Sequence, residues 1–270
     1  MITDQEFLRI SSYMKRNYGI DLGQKKVIVN GRLENYIKKG GWNTFDEFMD
    51  EVEHDITGEK QRILVNFLTT NHTYFMREFE HFDFFRSTVL PYLKHKEAAK
   101  KDLRIWCGAA SSGEEPYMIA MTLIDFFGVE HNAWDTKVLA TDISTKALAE
   151  ATKGIYSEED MKNIPEHWRR HFFKDLKNGS YQVSEQLRNE VIFRRMNLMD
   201  PFPFKKKMHT IFLRNVMIYF NEETKRDLVQ RVYDALEPGG YLFIGTTETL
   251  NRASTPFQII QPSIFRKKEG

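Results

Sequence analysis

Residues 104–120, RIWCGAASSGEEPYMIA, limit what this chain can fold into more than any other stretch. An apolar run from Ile105 to Cys107 enters a turn of small residues, and a helical apolar period leaves it. A strand passing into a helix implies a right-handed crossover onto a parallel neighbour. The pattern recurs. LRIWC, TKVLATD, VIFRRMN, TIFLRN and GYLFIGT are short and rich in β-branched and aromatic residues. EEPYMIAMTLIDFFG, STKALAEATKG and NEETKRDLVQRVYDAL separate most of them with helical spacing. EPGG, Glu237 to Gly240, reads as a sharp turn into the strand YLFIGT, and FQIIQPSIFRKK as one more hairpin-forming strand.

Two regions depart from this alternation. Between Ile155 and Glu190 it lapses, and the turn NGS beside a short strand suggests a small inserted subdomain. Ahead of Asp102 the texture is helical throughout. Phe7, Ile10, Tyr13, Met14 and Tyr18 share one face, Gly19 is a stop, and Thr44 can cap a later helix. The expected organisation is α/β: a helical domain over 1–75, a linker helix over 76–100, and a Rossmann-like sheet domain over 101–270 with its insert at about 160–192.

The turn raises the question of its ligand. Gly108 and Gly113 have the G-x-x-x-x-G spacing of a phosphate-cradling loop, which then needs a lysine to meet phosphate charge. Glu114 and Glu115 stand there instead. Either can be a routine acidic residue of a first helical turn, and either can attract a cation. In an open parallel sheet the ligand crevice lies beyond the strands' carboxyl ends. Asp142, closing KVLATD, therefore reads as an acceptor for both ribose hydroxyls or as an Asx-type helix cap. A ribose, a cationic appendage and no phosphate together describe S-adenosylmethionine. A nicotinamide dehydrogenase fits less well, because G-x-x-x-x-G-E-E departs from G-x-G-x-x-G and sets carboxylates near the pyrophosphate.

Composition narrows the setting. With 39 basic and 38 acidic residues the chain is no general polyanion binder, so nucleic acid is not an expected partner. The single cysteine, Cys107, excludes a disulfide framework and suits a reducing compartment. No signal peptide or uninterrupted apolar span is evident, so the expectation is a cytoplasmic protein without membrane insertion. His167 and His171, four apart, can share a helix face but lack a third ligand nearby, and no metal site is expected.

TTNHTYFMRE, WCGAASSGEEPYMIA, ATDIS, RRMNLMD and LRNVMIYF occur in this order, and together they closely resemble the chemotaxis receptor methyltransferase family, CheR. The resemblance covers nearly the whole chain, including the helical region and the insert. It implies a Rossmann-like S-adenosylmethionine-dependent methyltransferase domain and O-methylation of glutamate side chains on the cytoplasmic helices of chemotaxis receptors, tuning adaptation, with S-adenosylhomocysteine as product. By the same resemblance Asn71, Thr73 and Arg77 hold the cofactor. Glu115 takes the acidic position of the turn, with Glu114 the neighbouring candidate. Asp142 takes the ribose, Asn197 and Leu198 border the adenine, and Arg214 and Asn215 continue the site. Tyr219 resembles the tyrosine near the transferred methyl, and Arg77 and Tyr219 are the candidate catalytic residues. Without the resemblance, Tyr219 reads as a core aromatic. The insert looks like the family's small β-subdomain, which docks a receptor tail peptide in some members; KDLKNGSYQV lacks a glycine-rich expansion, which suggests a non-docking member.

Methyl transfer to glutamate suits such a site. A carboxylate with an ordinary pKa near ~4.3 is already ionised at neutral pH, so no general base is needed. What remains is orientation, with Arg77 chiefly on the cofactor side. From Met1 to Phe45 there are eight basic against four acidic residues. Lys15, Arg16, Lys25, Lys26, Arg32, Lys38 and Lys39 are thus candidates to steer an acidic receptor helix, or are a solvated surface. A monomer is expected. A non-catalytic adaptor that senses S-adenosylmethionine is the competing reading.

Overall fold

The computed structural model describes residues 1–252 and 255–269. Four helices open the chain: α1 (Asp4–Tyr18), α2 (Lys26–Gly40), α3 (Phe45–His54) and α4 (Glu59–Leu68). Local chemistry sets their ends. Thr3 and Glu6 form a reciprocal capping box at α1, which stops at Gly19 with φ +71°, and Thr44 caps α3. The buried Glu6 carboxylate also accepts from the Phe45 amide at 2.9 Å, tying the start of α3 to α1. Ile10, Met14, Leu33, Phe48, Met49 and Leu64 fill a core of this unit's own.

The next helical stretch is continuous: α5 (Glu80–Phe84), a π-helical turn (Phe85–Val89) and α6 (Leu90–Lys96). Read from sequence as a linker over 76–100, it is instead seated in the sheet's core. Phe82, Phe85, Val89, Leu90 and Leu93 are buried in one cluster with Phe212 and Phe243. Its apolar side faces the sheet, and no apolar side is left free to make it a spacer.

The α/β unit follows as β1 (Ile105–Gly108), α7 (Glu114–Phe127), β2 (Val138–Asp142), α8 (Thr145–Lys153), β3 (Ile155–Ser157), α9 (Glu166–Phe172), β4 (Phe173–Asp175), β5 (Ser180–Val183), α10 (Glu185–Asn189), β6 (Val191–Arg195), β7 (Met208–Leu213), α11 (Glu222–Ala235), β8 (Leu236–Ile244), β9 (Gln258–Gln261) and β10 (Ile264–Arg266). Seven strands make one sheet in the order β6-β2-β1-β7-β8-β10-β9. The first five in that order are parallel, and β10 and β9 close the far edge antiparallel. From β1 the chain winds through β2 to β6, then crosses back to β7 and β8, so its direction reverses between β1 and β7. β3, β5 and β4 form the separate antiparallel insert, which begins at Ile155, ahead of the start near 160 expected from sequence.

EPGG is not a free turn. It lies inside β8, where Gly239 takes φ +78° and the register against β7 shifts between Met208 and Thr210, as a bulge does. Among the described residues no helix is long and apolar enough to cross a membrane.

Candidate active site

A cavity of about 420 Å³ opens where the strand order reverses. The carboxyl ends of four adjacent strands supply one side: Ala109 and Ser111 after β1, Thr141 to Ile143 at β2, Met196 to Leu198 after β6, and Arg214 to Val216 with Ile218 to Phe220 after β7. The helical unit supplies the other, through Tyr18, Ile20, Lys25, Val29, Arg32 and Leu68. Thr69 to Thr73 and Arg77 run between them. All the cofactor candidates, Asn71, Thr73, Arg77, Glu115, Asp142, Asn197, Leu198, Arg214 and Asn215, therefore meet in one place, with Tyr219.

The glycine turn does its work by packing. Ala109 (φ +60°), Ser111 (φ +49°) and Gly113 (φ +100°) coil it tightly. A Cβ on Gly108 would lie 2.8 Å from the Leu213 side chain, and one on Gly113 equally close to Ala151. Both glycines thus admit neighbouring elements. The turn ends by presenting two carboxylates to opposite sides. Glu115 faces the cavity, where its Oε2 accepts from Arg214 Nη1 at 2.5 Å and its Oε1 from Cys107 Sγ at 3.3 Å. Glu114 turns towards the insert and accepts from Ser112 Oγ, and burial pushes its carboxyl up to about 7. Of the two, Glu115 is the one that lines the cavity.

Asp142 is not the cap of the helix that follows it. Its Oδ1 accepts from the Ser144 amide and its Oδ2 from the Ser111 amide, each at 2.8 Å, and burial raises its pKa. The cap of α8 is Ser144 itself. The Ile143 amide is a third donor to this carboxylate, which leaves it acceptor capacity where the residue borders the cavity.

Arg214 is buried between Glu115 and a carboxylate not singled out from sequence, Glu78. Glu78 Oε2 accepts from Arg214 Nη2 and from the Thr246 amide, both at 3.1 Å, and Oε1 from Asn215 Nδ2 at 3.2 Å. Burial pushes the Glu78 carboxyl up, but the Arg214 charge and these donors outweigh it and hold it below the usual range. Glu248, equally unforeseen, accepts from the amides of Asn215, Met217, Ile218 and Gly245. It thereby fixes the segment that carries Asn215, at φ +56°, and Tyr219. Glu78 closes TTNHTYFMRE directly after Arg77, and Glu248 lies just past the strand YLFIGT.

Tyr219 lines the cavity and, partly buried, also packs against the core. The Asp21 amide donates to its carbonyl at 2.9 Å, and Lys25 Nζ stands 5.6 Å from its ring centre. Arg77 donates to the His72 carbonyl at 3.0 Å. Asn197 reaches out of the sheet unit to donate to the Asn17 carbonyl at 2.8 Å.

The basic candidates divide. Lys25 and Arg32 line the cavity. Lys26, Lys38 and Lys15 face Asp4, Glu34 and Asp21 at 2.6, 2.9 and 3.9 Å. Arg16 lies over the Tyr13 ring, and Lys39 is exposed. These candidates thus form no unbroken positive surface, because the few carboxylates of that region sit beside its lysines.

The donor set fits a phosphate-free cationic nucleoside. Asp142 is free to take hydroxyls, Ile143, Met196 and Leu198 offer apolar walls, and no lysine stands at the turn. Arg214 Nε, buried and without an acceptor among the described residues, is a spare donor for a ligand carboxylate. Comparison with known proteins gives the same direction. Residues 71–265 match the family model described as CheR methyltransferase, SAM binding domain, and residues 5–69 match CheR methyltransferase, all-alpha domain. A chemotaxis protein methyltransferase of Borreliella burgdorferi is 40% identical, over 98% of this chain and 95% of its own length. A probable chemotaxis protein methyltransferase of Rhizobium etli is 35% identical over 86% of this chain and 88% of its own. The chemotaxis protein methyltransferase of Escherichia coli is 34% identical over 98% and 91%.

Proposed function

The chain belongs to the CheR methyltransferase family, and from that premise we propose that it transfers methyl from S-adenosylmethionine to glutamate side chains on the cytoplasmic helices of chemotaxis receptors, tuning adaptation. The observation that carries this reading is the division of charge along one cavity. Glu115 and Asp142 stand among the strand ends, and Lys25 and Arg32 on the helical wall opposite. A cationic nucleoside suits the first side and an acidic receptor helix the second.

Bound S-adenosylmethionine supplies an electrophilic methyl: a glutamate oxygen bonds to its carbon, the carbon–sulfur bond breaks with its electron pair on sulfur, and no proton moves. The residues therefore only bind and orient. Asp142 holds the ribose hydroxyls and Asn197 and Leu198 border the base. Glu115 faces the amino group, while Arg77, Arg214 Nε, Asn71, Thr73 and Asn215 serve the polar tail. Tyr219, held by Asp21 and Lys25, walls the space where acceptor and methyl meet. An arginine clamp on the acceptor would stabilise the ground state and raise the barrier, which leaves Arg77 on the cofactor side.

The acceptor is approached from outside the cavity, so Lys25 and Arg32 steer it directly and Arg16 and Lys39 add to the field. The protein acts as a monomer in this reading. The test is transfer of labelled methyl from S-adenosylmethionine to a receptor cytoplasmic fragment, with the label released as methanol by mild base. Tight binding of ATP or a nicotinamide dinucleotide, with no binding of S-adenosylmethionine, would overturn it.

A further inference from the structure

We propose that Glu78, a positioning residue behind the cavity wall, sets the ratio of the protein's affinities for S-adenosylmethionine and for the S-adenosylhomocysteine left after transfer. This rests on the cofactor reading above. Arg214 already has one full counter-charge in Glu115, yet Glu78 closes on it from the other side, at 3.1 Å. The three groups sum to one surplus negative charge in a largely buried setting. Arg77 approaches Glu78 only to 3.9 Å and is partly exposed, so solvent weakens its share. His81, also beside Glu78 at 3.5 Å, does not cancel the surplus, since burial and the Arg214 charge bring its pKa down to about 4.

Hydrogen bonding does not require that charge. A neutral amide at 78 can accept from Arg214 and Thr246 through its oxygen, and the Asn215 side chain can turn its own oxygen to the new NH2. The chain nonetheless holds Met76 (φ +67°) and Glu78 (φ +53°) in the left-handed region to bring the carboxylate here. What distinguishes a carboxylate from an amide at this place is its field. The ligand carries one more positive charge before transfer than after, so the surplus negative charge favours the methyl donor and releases the product. The same field is weaker for the transition state, where the sulfonium charge is dispersing.

Calorimetric titration of the full chain with each nucleoside tests this, using wild type, Glu78→Gln and Glu78→Asp. Glu78→Gln should weaken S-adenosylmethionine about tenfold, as one charge in a partly screened interior does. S-adenosylhomocysteine should lose about threefold or less. Steady-state KM for the donor should rise while kcat holds or increases. Glu78→Asp, which keeps the charge, should keep the wild-type ratio of the two affinities. Equal weakening of both nucleosides by Glu78→Gln, or a Glu78→Gln chain that fails to fold while Glu78→Asp folds, makes Glu78 purely structural and overturns the proposal. Wild type that binds neither nucleoside removes the cofactor reading itself, a different result from an unchanged ratio.

Discussion

Glu114 and Glu115 are adjacent in the chain and opposite in circumstance. One carboxylate meets Arg214 in the cavity, while the other is buried with no cation against it, held by the Ser112 hydroxyl and its own backbone amide. The folded Glu114 value of about 7 lies above the usual 4.5, so the native state holds a proton that the unfolded chain releases. Its contribution to stability is complete below pH ~4.5 and disappears as pH rises through ~7. Glu114→Gln should therefore gain on wild type between pH 5 and 8 by on the order of 2–3 kcal/mol, read from urea melts at the two pH values. Glu115→Gln should instead leave that slope intact and cost S-adenosylmethionine about tenfold in affinity by calorimetry. Arg77→Ala should both weaken the cofactor and lower turnover at saturating receptor. Residues announced by a strand end or a helix start, such as Asp142 and Glu115, were legible in the sequence. Glu78 and Glu248 were not, because their partners near Arg214 and Asn215 are brought to them only by the fold.

The strand–turn–helix unit at residues 104–120 was readable for the same reason that it is rigid: small residues, an apolar run and a helical period leave one local solution. That β6, β2, β1, β7 and β8 run parallel followed from repeating that unit, whereas their order in the sheet did not. Two elements were misjudged. The EPGG bulge looks like a turn because its glycines permit one, and only the pairing of Leu236 and Tyr241, on either side of it, with β7 takes it into the strand. The helical stretch 80–96 looked like a spacer because sequence does not reveal which surface an apolar stripe will meet. It meets Phe212 and Phe243, with Phe85 and Phe212 ring centres 5.2 Å apart. Phe85→Ala should accordingly cost about 3–5 kcal/mol in urea unfolding, as for a core aromatic; a value below ~1 kcal/mol would restore the spacer.

At the scale of the whole molecule, neither unit owns the cavity. Charge steering ought to depend on which lysine is altered. Lys25→Glu should reduce kcat/KM for a receptor fragment about tenfold at low salt and flatten its salt dependence. Lys38→Glu, whose lysine is already neutralised by Glu34, should stay within about twofold of wild type. Equal effects would mean that net charge, not position, governs encounter. The junction itself is polar: Asp21 donates to the Tyr219 carbonyl, Asn197 to Asn17, and Asn66 to Thr145. Since the stretch from Asn17 to Lys25 props up Tyr219 at the cavity wall, it is floor to the cavity as much as ceiling to recognition. An engineer who grafts another relative's helical head onto this sheet, hoping to redirect it to a new receptor, must leave those nine residues behind with the body or expect a hybrid that greets its target and cannot turn over.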